Sequence, residues 1–191
     1  MRRRVWVHQA LVCVLTLGIF CSQAVTGTAA AASMTPFGPQ RFAHAHATYA
    51  ITTKSTYYRQ IWQKAIRAWN ATGVFKFKLG HAQSAQIDLS TDTAKQAAAM
   101  GDDVGMTNYW ARHNEFIAEV CSLNPSLMKE YDYSRSDATH VAEHELGHAM
   151  GLNHNPSKHS VMYYRNRSEG IQKVDIAGVK QRYTTPAGET S

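Results

Sequence analysis

Residues 144–154 of this 191-residue chain read His-Glu-Leu-Gly-His-Ala-Met-Gly-Leu-Asn-His. On a helix, His144 and His148 stand four apart, so their rings project from one face a turn apart. Two imidazoles so placed can take two corners of a tetrahedral zinc site, with zinc–nitrogen distances of about 2.0–2.1 Å. Glu145 follows the first of them, which sets its carboxylate beside the metal's open side rather than on it. Gly151 allows a left-handed or otherwise tight backbone that ends the helix, and the turn brings His154 back towards the same point. Three neutral nitrogens leave a fourth position for water, the arrangement of catalytic rather than structural zinc. A bare His-Glu-x-x-His arises by accident. Five specified positions at a few per cent usage each do so on the order of once in 10⁷ starts.

Those residues need elements to hold them, and the flanking pattern supplies an α+β set. Residues 47–52 alternate weakly and predict a first strand. Tyr58, Ile61, Trp62, Ala65, Ile66 and Trp69 then recur at helical spacing, with Arg59, Gln63, Lys64 and Arg67 on the wet side and Asn70 and Gly73 as the stop. Residues 74–79 alternate apolar and basic, as a strand with one wet face does. Further strands are predicted at 86–90, 104–109 and 116–123, with a polar loop over 91–103 and a loop or short helical turn over 124–133. Ser136 or Asp137 can cap a helix running through Gly147 to about Gly151. An irregular stretch over 152–167 precedes a last helix in which Ile176, Val179 and Tyr183 share a side.

With Met162 eight residues beyond His154, the run His144-Glu145-x-x-His148-x-x-Gly151-x-x-His154 resembles the zinc-binding helix and Met-turn of metzincin proteases, and the matrixins most closely. The likeness extends loosely back to Tyr49 and forward to Asp175-Ile176-x-Gly178, which looks like the start of their last helix. It implies a twisted mixed five-stranded sheet packed on helices, with an active-site helix leading into the Met-turn. It also implies one catalytic zinc on His144, His148 and His154, with Glu145 as general base and Met162 as a hydrophobic floor. The activity implied is endopeptidase cleavage of an extended polypeptide lying along residues 104–109 as an added strand. Tyr163-Tyr164 stands where matrixins have Tyr-Pro. A tyrosine two beyond the methionine is similar to astacins and serralysins instead, and makes Tyr164 a candidate zinc ligand or oxyanion donor. Zinc amidases of cell-wall peptides, and non-catalytic secreted proteins that keep zinc for stability, are the rival readings. A carboxylate beside the open position has no use in the second of these.

The remaining residues narrow the setting. Arg2 to Arg4, the apolar stretch 11–20 and the small residues of 28–33 have the build of a secretory signal peptide, which predicts a leader over 1–32 and one secreted catalytic domain over 33–191. The apolar run is too short to span a membrane comfortably. Without those three arginines, 17 Lys+Arg against 14 Asp+Glu leave +3 of the full chain's +6, too mild a charge to predict nucleic acid as a partner. A monomer is expected. Cys13 and Cys21 would leave with the leader, so Cys121 stands alone as a buried thiol and no internal disulfide can form. The lead-in before the first strand holds no cysteine that could plug the metal. His44 and His46 could share a strand face as a second metal pair, though such a pair is ordinarily solvated. Asp88, Asp92, Asp102 and Asp103 could offer oxygens to calcium without the dense spacing of a calcium motif.

Overall fold

The computed structural model describes residues 34–92 and 100–191. The leader assigned to 1–32 lies outside the described residues, as does most of the polar loop expected after the third strand. The element order is β1 (His46–Ile51), α1 (Thr56–Thr72), β2 (Lys76–Leu79), β3 (Ile87–Thr91), β4 (Gly105–Arg112), β5 (Glu115–Leu123), α2 (Pro125–Glu130), α3 (Arg135–Ala149) and α4 (Lys173–Thr184). The expected α+β class and mixed five-stranded sheet are both present.

The stripe on α1 faces the sheet as its spacing predicts, burying Ile61, Trp62, Ala65, Ile66 and Trp69. Ser55 caps the helix by accepting from the Tyr58 amide, and Gly73 ends it in the left-handed region at φ 74°. Each buried tryptophan removes 150–250 Å² from water, a gain of roughly 4–6 kcal/mol before entropy. Both indoles also find acceptors. Trp62 Nε1 donates to Ser90 O at 3.0 Å on β3, and Trp69 Nε1 to Glu143 O at 2.8 Å on α3. Trp69 therefore fixes α1 to the helix that carries the first two histidines.

The strands lie in the order β2-β1-β3-β5-β4. The pairings β1–β2, β1–β3 and β3–β5 are parallel, and only β4 runs antiparallel, against β5. His113 and Asn114, at φ 51° and 62°, make the two-residue turn between them, a geometry that suits the right-handed twist of a hairpin. The register shifts between Trp110, opposite Ala118, and Ala111, opposite Phe116, so Ile117 is left unpaired and 55% exposed. β4 ends the sheet, and among the described residues its outer edge has no strand partner.

One detail differs from the sequence pattern. The cap of α3 is Ser134, not Ser136 or Asp137. Asp137 sits three residues inside and accepts from the Ser134 amide while the Ser134 hydroxyl accepts from the Asp137 amide. The signal at Asp137 is real but belongs to the other half of a reciprocal capping box. The short helical turn expected within 124–133 is present as α2, capped by Asn124 with Pro125 in its first turn. The lead-in has no regular structure yet is tied down. Phe37 and Phe42 are buried, Phe37 pairs with Leu152, and the Gly38 and Asn153 amides donate to Gly151 O and Pro36 O.

Glu119 on β5 is 2% exposed, and neither carboxylate oxygen has a hydrogen-bond partner. Burial holds its carboxyl well above the usual carboxylate range. As pH rises past about 4.3 the unfolded chain gains by ionising this group and the folded protein does not, so Glu119 costs more stability towards neutrality. Glu119→Gln should raise stability by about 1–3 kcal/mol at pH 7. Calorimetric Tm values should converge with the parent's near pH 4.

Candidate metal centre and cleft

α3 is buried along most of its length rather than on one stripe, and His144 and Glu145 lie in its enclosed part. The helix ends at Ala149. Gly151, at φ 93°, then turns the chain, and a Cβ there would stand 2.6 Å from Gln40 O. A side chain is excluded both by conformation and by contact, so the reversal that returns His154 to the helix depends on this glycine.

The three imidazoles converge. His148 Nε2 lies 3.1 Å from His144 Nε2 and 3.2 Å from His154 Nε2. His144 Nδ1 faces Val161 O at 2.7 Å and His148 Nδ1 faces Leu152 O at 2.8 Å. A carbonyl only accepts, so both rings carry their proton on Nδ1 and point bare Nε2 lone pairs at one another. Lone pairs at that range repel unless a cation lies between them. Tetrahedral bonds of about 2.0–2.1 Å imply nitrogen separations of about 3.3 Å, close to those present. The donor set fits zinc. Burial lowers His144 to about 4 and His148 to about 3, and lowers the more exposed His154 less far, so all three offer neutral nitrogen at pH 7. Among the described residues this is the one cluster of three or more potential ligands close enough to share an ion.

The support for His144 is a buried carboxylate that sequence reasoning had placed only at a helix start. Asp175, fully buried, accepts from the Val161 and Gln172 amides at 2.9 Å each and from the hydroxyls of Thr35 and Ser160. Ser160 Oγ in turn accepts from the Met162 amide at 3.0 Å. One side chain thus ties the lead-in, the turn around Met162 and the start of α4, and its partner Val161 presents the carbonyl that fixes the His144 tautomer. Met162 is fully buried and packs on α3 at Gly147, between the two helix histidines.

Glu145 is 5% exposed, and burial pushes its carboxyl up to about 8, with Asp103 adding to the rise and the Thr107 hydroxyl opposing it. Thr107 Oγ1 on β4 donates to Glu145 Oε2 at 2.7 Å. His144, Glu145, His148 and His154 line one open cleft with Gly105, Thr107 and Tyr109 of β4, and Tyr164 is on its wall. Tyr164 is 57% exposed and stacks edge-on against Tyr163, their centroids 4.9 Å apart; of the two, only Tyr164 lines the cleft.

Other sequence candidates are not gathered into a site. The His44 and His46 rings stack at 5.5 Å with 7° between planes, both exposed and without a third ligand. Asp88 accepts from Thr52, Asp103 lines the cleft, and the four aspartates form no shared cluster among the described residues. Cys121 is buried, and burial raises its thiol well above the ordinary range, as befits an inert side chain. Sequence reasoning missed Thr107, Ser160 and Thr35, ordinary hydroxyl residues whose spacing carries no signal.

The family model described as Matrixin matches residues 41–184, a span that includes the three histidines, Glu145, Met162 and Asp175. No curated protein matches the chain.

A Cβ added at Gly147 would collide with Met162 Sδ. Gly147→Ala should therefore cost about 1–3 kcal/mol by overpacking. It should also loosen the floor beneath both helix histidines. A lower Tm by differential scanning calorimetry, together with faster loss of zinc to a chelator, is the expected pair of results.

Proposed function

The chain belongs to the matrixin family of zinc metalloproteases, and on that premise we propose that it is a secreted endopeptidase that cuts extended polypeptides within the cleft under β4. The observation that carries the reading is the convergence of three imidazole nitrogens beside a buried, hydrogen-bonded carboxylate.

His144, His148 and His154 would hold the zinc, with His144 and His148 oriented by the carbonyls of Val161 and Leu152. Bound there, zinc would lower the pKa of a coordinated water to about 7 and polarise the scissile carbonyl. β4 offers its free backbone edge to the substrate as an antiparallel neighbour, so the peptide is bound extended, its main chain held independently of most side chains. Glu145 takes a proton from the attacking water and gives it to the departing amide nitrogen. A carboxyl that burial has brought towards neutral pKa suits both halves of that transfer, since it neither holds nor refuses the proton strongly. Tyr164, on the cleft wall, supplies a phenol O–H to the oxygen on which charge develops.

Residues 1–32 are read as a leader on the basis of their three arginines, apolar stretch and small residues, and 33–191 as one catalytic domain. No helix among the described residues is long and apolar enough to cross a membrane. The mild charge and the absence of any requirement for a second chain at the cleft support a monomer acting on protein rather than nucleic acid.

Glu145→Ala should keep its zinc and lose nearly all turnover of denatured casein, because the three imidazoles remain while the proton carrier is gone. Substantial turnover by the zinc-loaded variant would overturn the mechanism. Tyr164→Phe should lower kcat by about a hundredfold with little change in KM, the pattern expected when a transition-state donor is removed. Tyr163→Phe, measured at matched zinc content on one quenched fluorescent peptide, should leave both constants near those of the parent.

A further inference from the structure

Glu145 has the substrate-bearing strand for a seat. A Cβ at Gly105 would stand 2.5 Å from Glu145 Oε1 and 2.8 Å from Val141 Cγ1, so Oε1 occupies the space that a side chain on β4 would fill. Two residues on, and on the same face, Thr107 Oγ1 lies 2.7 Å from Oε2. Both oxygens of one carboxylate are thus located by alternate residues of β4, one by contact and one by a hydrogen bond.

The same Thr107 hydroxyl lies 3.1 Å from a second acceptor, the backbone oxygen of Glu145 itself. One proton cannot serve both at full strength. The shorter bond, to Oε2, is the stronger.

We propose that Thr107 is a positioning residue for the general base, holding the Glu145 carboxylate against β4 so that substrate binding and proton transfer share one strand as their reference. The inference deepens the peptidase reading above and rests on it for the role of Glu145. Its own content is geometric: without the hydroxyl, the carboxylate is free to leave β4. A proton acceptor fixed to the strand that holds the scissile bond keeps its distance to that bond constant, and misplacing such a group by an ångström is costly.

The test uses zinc-loaded Thr107→Val, which keeps the shape and loses the hydroxyl, and Thr107→Ser, which keeps the hydroxyl and loses the methyl. On a quenched fluorescent peptide cut by the parent, Thr107→Val should lower kcat about ten- to a hundredfold, the range spanned by a hydrogen bond to a charged group. KM and zinc content should hold, and Thr107→Ser should restore most of the rate. A Thr107→Val enzyme with the parent's kcat overturns the proposal, as does a Thr107→Ser enzyme equally slow, which would assign the effect to methyl packing. A rise in KM or a loss of zinc in step with the rate would also overturn it, leaving Thr107 as a strut between β4 and α3. Crystal structures of the zinc-loaded variants supply a readout independent of turnover. The Glu145 carboxylate should swing off β4 in Thr107→Val and stay in Thr107→Ser, and an unmoved carboxylate in Thr107→Val counts against the proposal. Glu145→Ala run beside them separates the two ideas: if it stays active the role of Glu145 fails, whereas a dead Glu145→Ala beside a fully active Thr107→Val sinks Thr107 alone.

Discussion

Three imidazoles whose Nε2 atoms crowd on one point, two of them with lone pairs inward, form an arrangement that the protein has to enforce. His144 Nε2 and His148 Nε2 stand 3.1 Å apart with their protons committed to carbonyls on the far side of each ring. His144 and His148 cannot relieve that crowding by a hydrogen bond to each other, so the fold must hold them there. Much of the rest of the structure follows from this demand. α3 has to be rigid and enclosed, the chain has to reverse sharply at Gly151, and the Val161 carbonyl has to be presented at one height above the helix.

Asp175 meets the last of these requirements. A buried carboxylate is costly unless hydrogen-bonded, and here four donors from three separate segments surround it. The contrast with Glu119 is instructive, because that carboxyl is equally buried and has no partner at all. Asp175 draws the lead-in, the Met162 turn and α4 together, whereas Glu119, whose carboxyl burial holds well above the usual range, ties nothing to β5. Burial alone says little about a carboxyl. The donors around it decide whether it ties the fold together or weakens it.

β4 shows the same economy on the side of the substrate. Among the described residues its outer edge has no strand partner, the feature on which the proposed binding of an extended peptide rests. Its inner face meets α3 through Gly105 and Thr107, so the strand that would bind the peptide also locates the carboxylate that would act on it. A glycine at 105 weakens a strand on propensity grounds, and the close approach of Glu145 is the reason it is there.

The residues alone determined what repeats on a local period. His144, His148 and Glu145 could be assigned because a helix fixes which side chains share a face. His154 could be assigned because glycine at 151 permits the turn, and the α1 stripe because burial imposes a 3.6-residue rhythm. Even the misplaced cap at Ser136 or Asp137 was wrong by only one arm of a capping box. The tertiary structure decided everything that depends on which segments meet. The order of strands, the seat of Tyr164 on the cleft wall, the bracing of the lead-in by Leu152, the four-donor shell of Asp175 and the grip of Thr107 on Glu145 join residues up to 140 positions apart. A threonine or serine hydroxyl looks the same in any sequence context. Its meaning is set by the acceptor that folding brings within about 3 Å, and no local pattern encodes that partner.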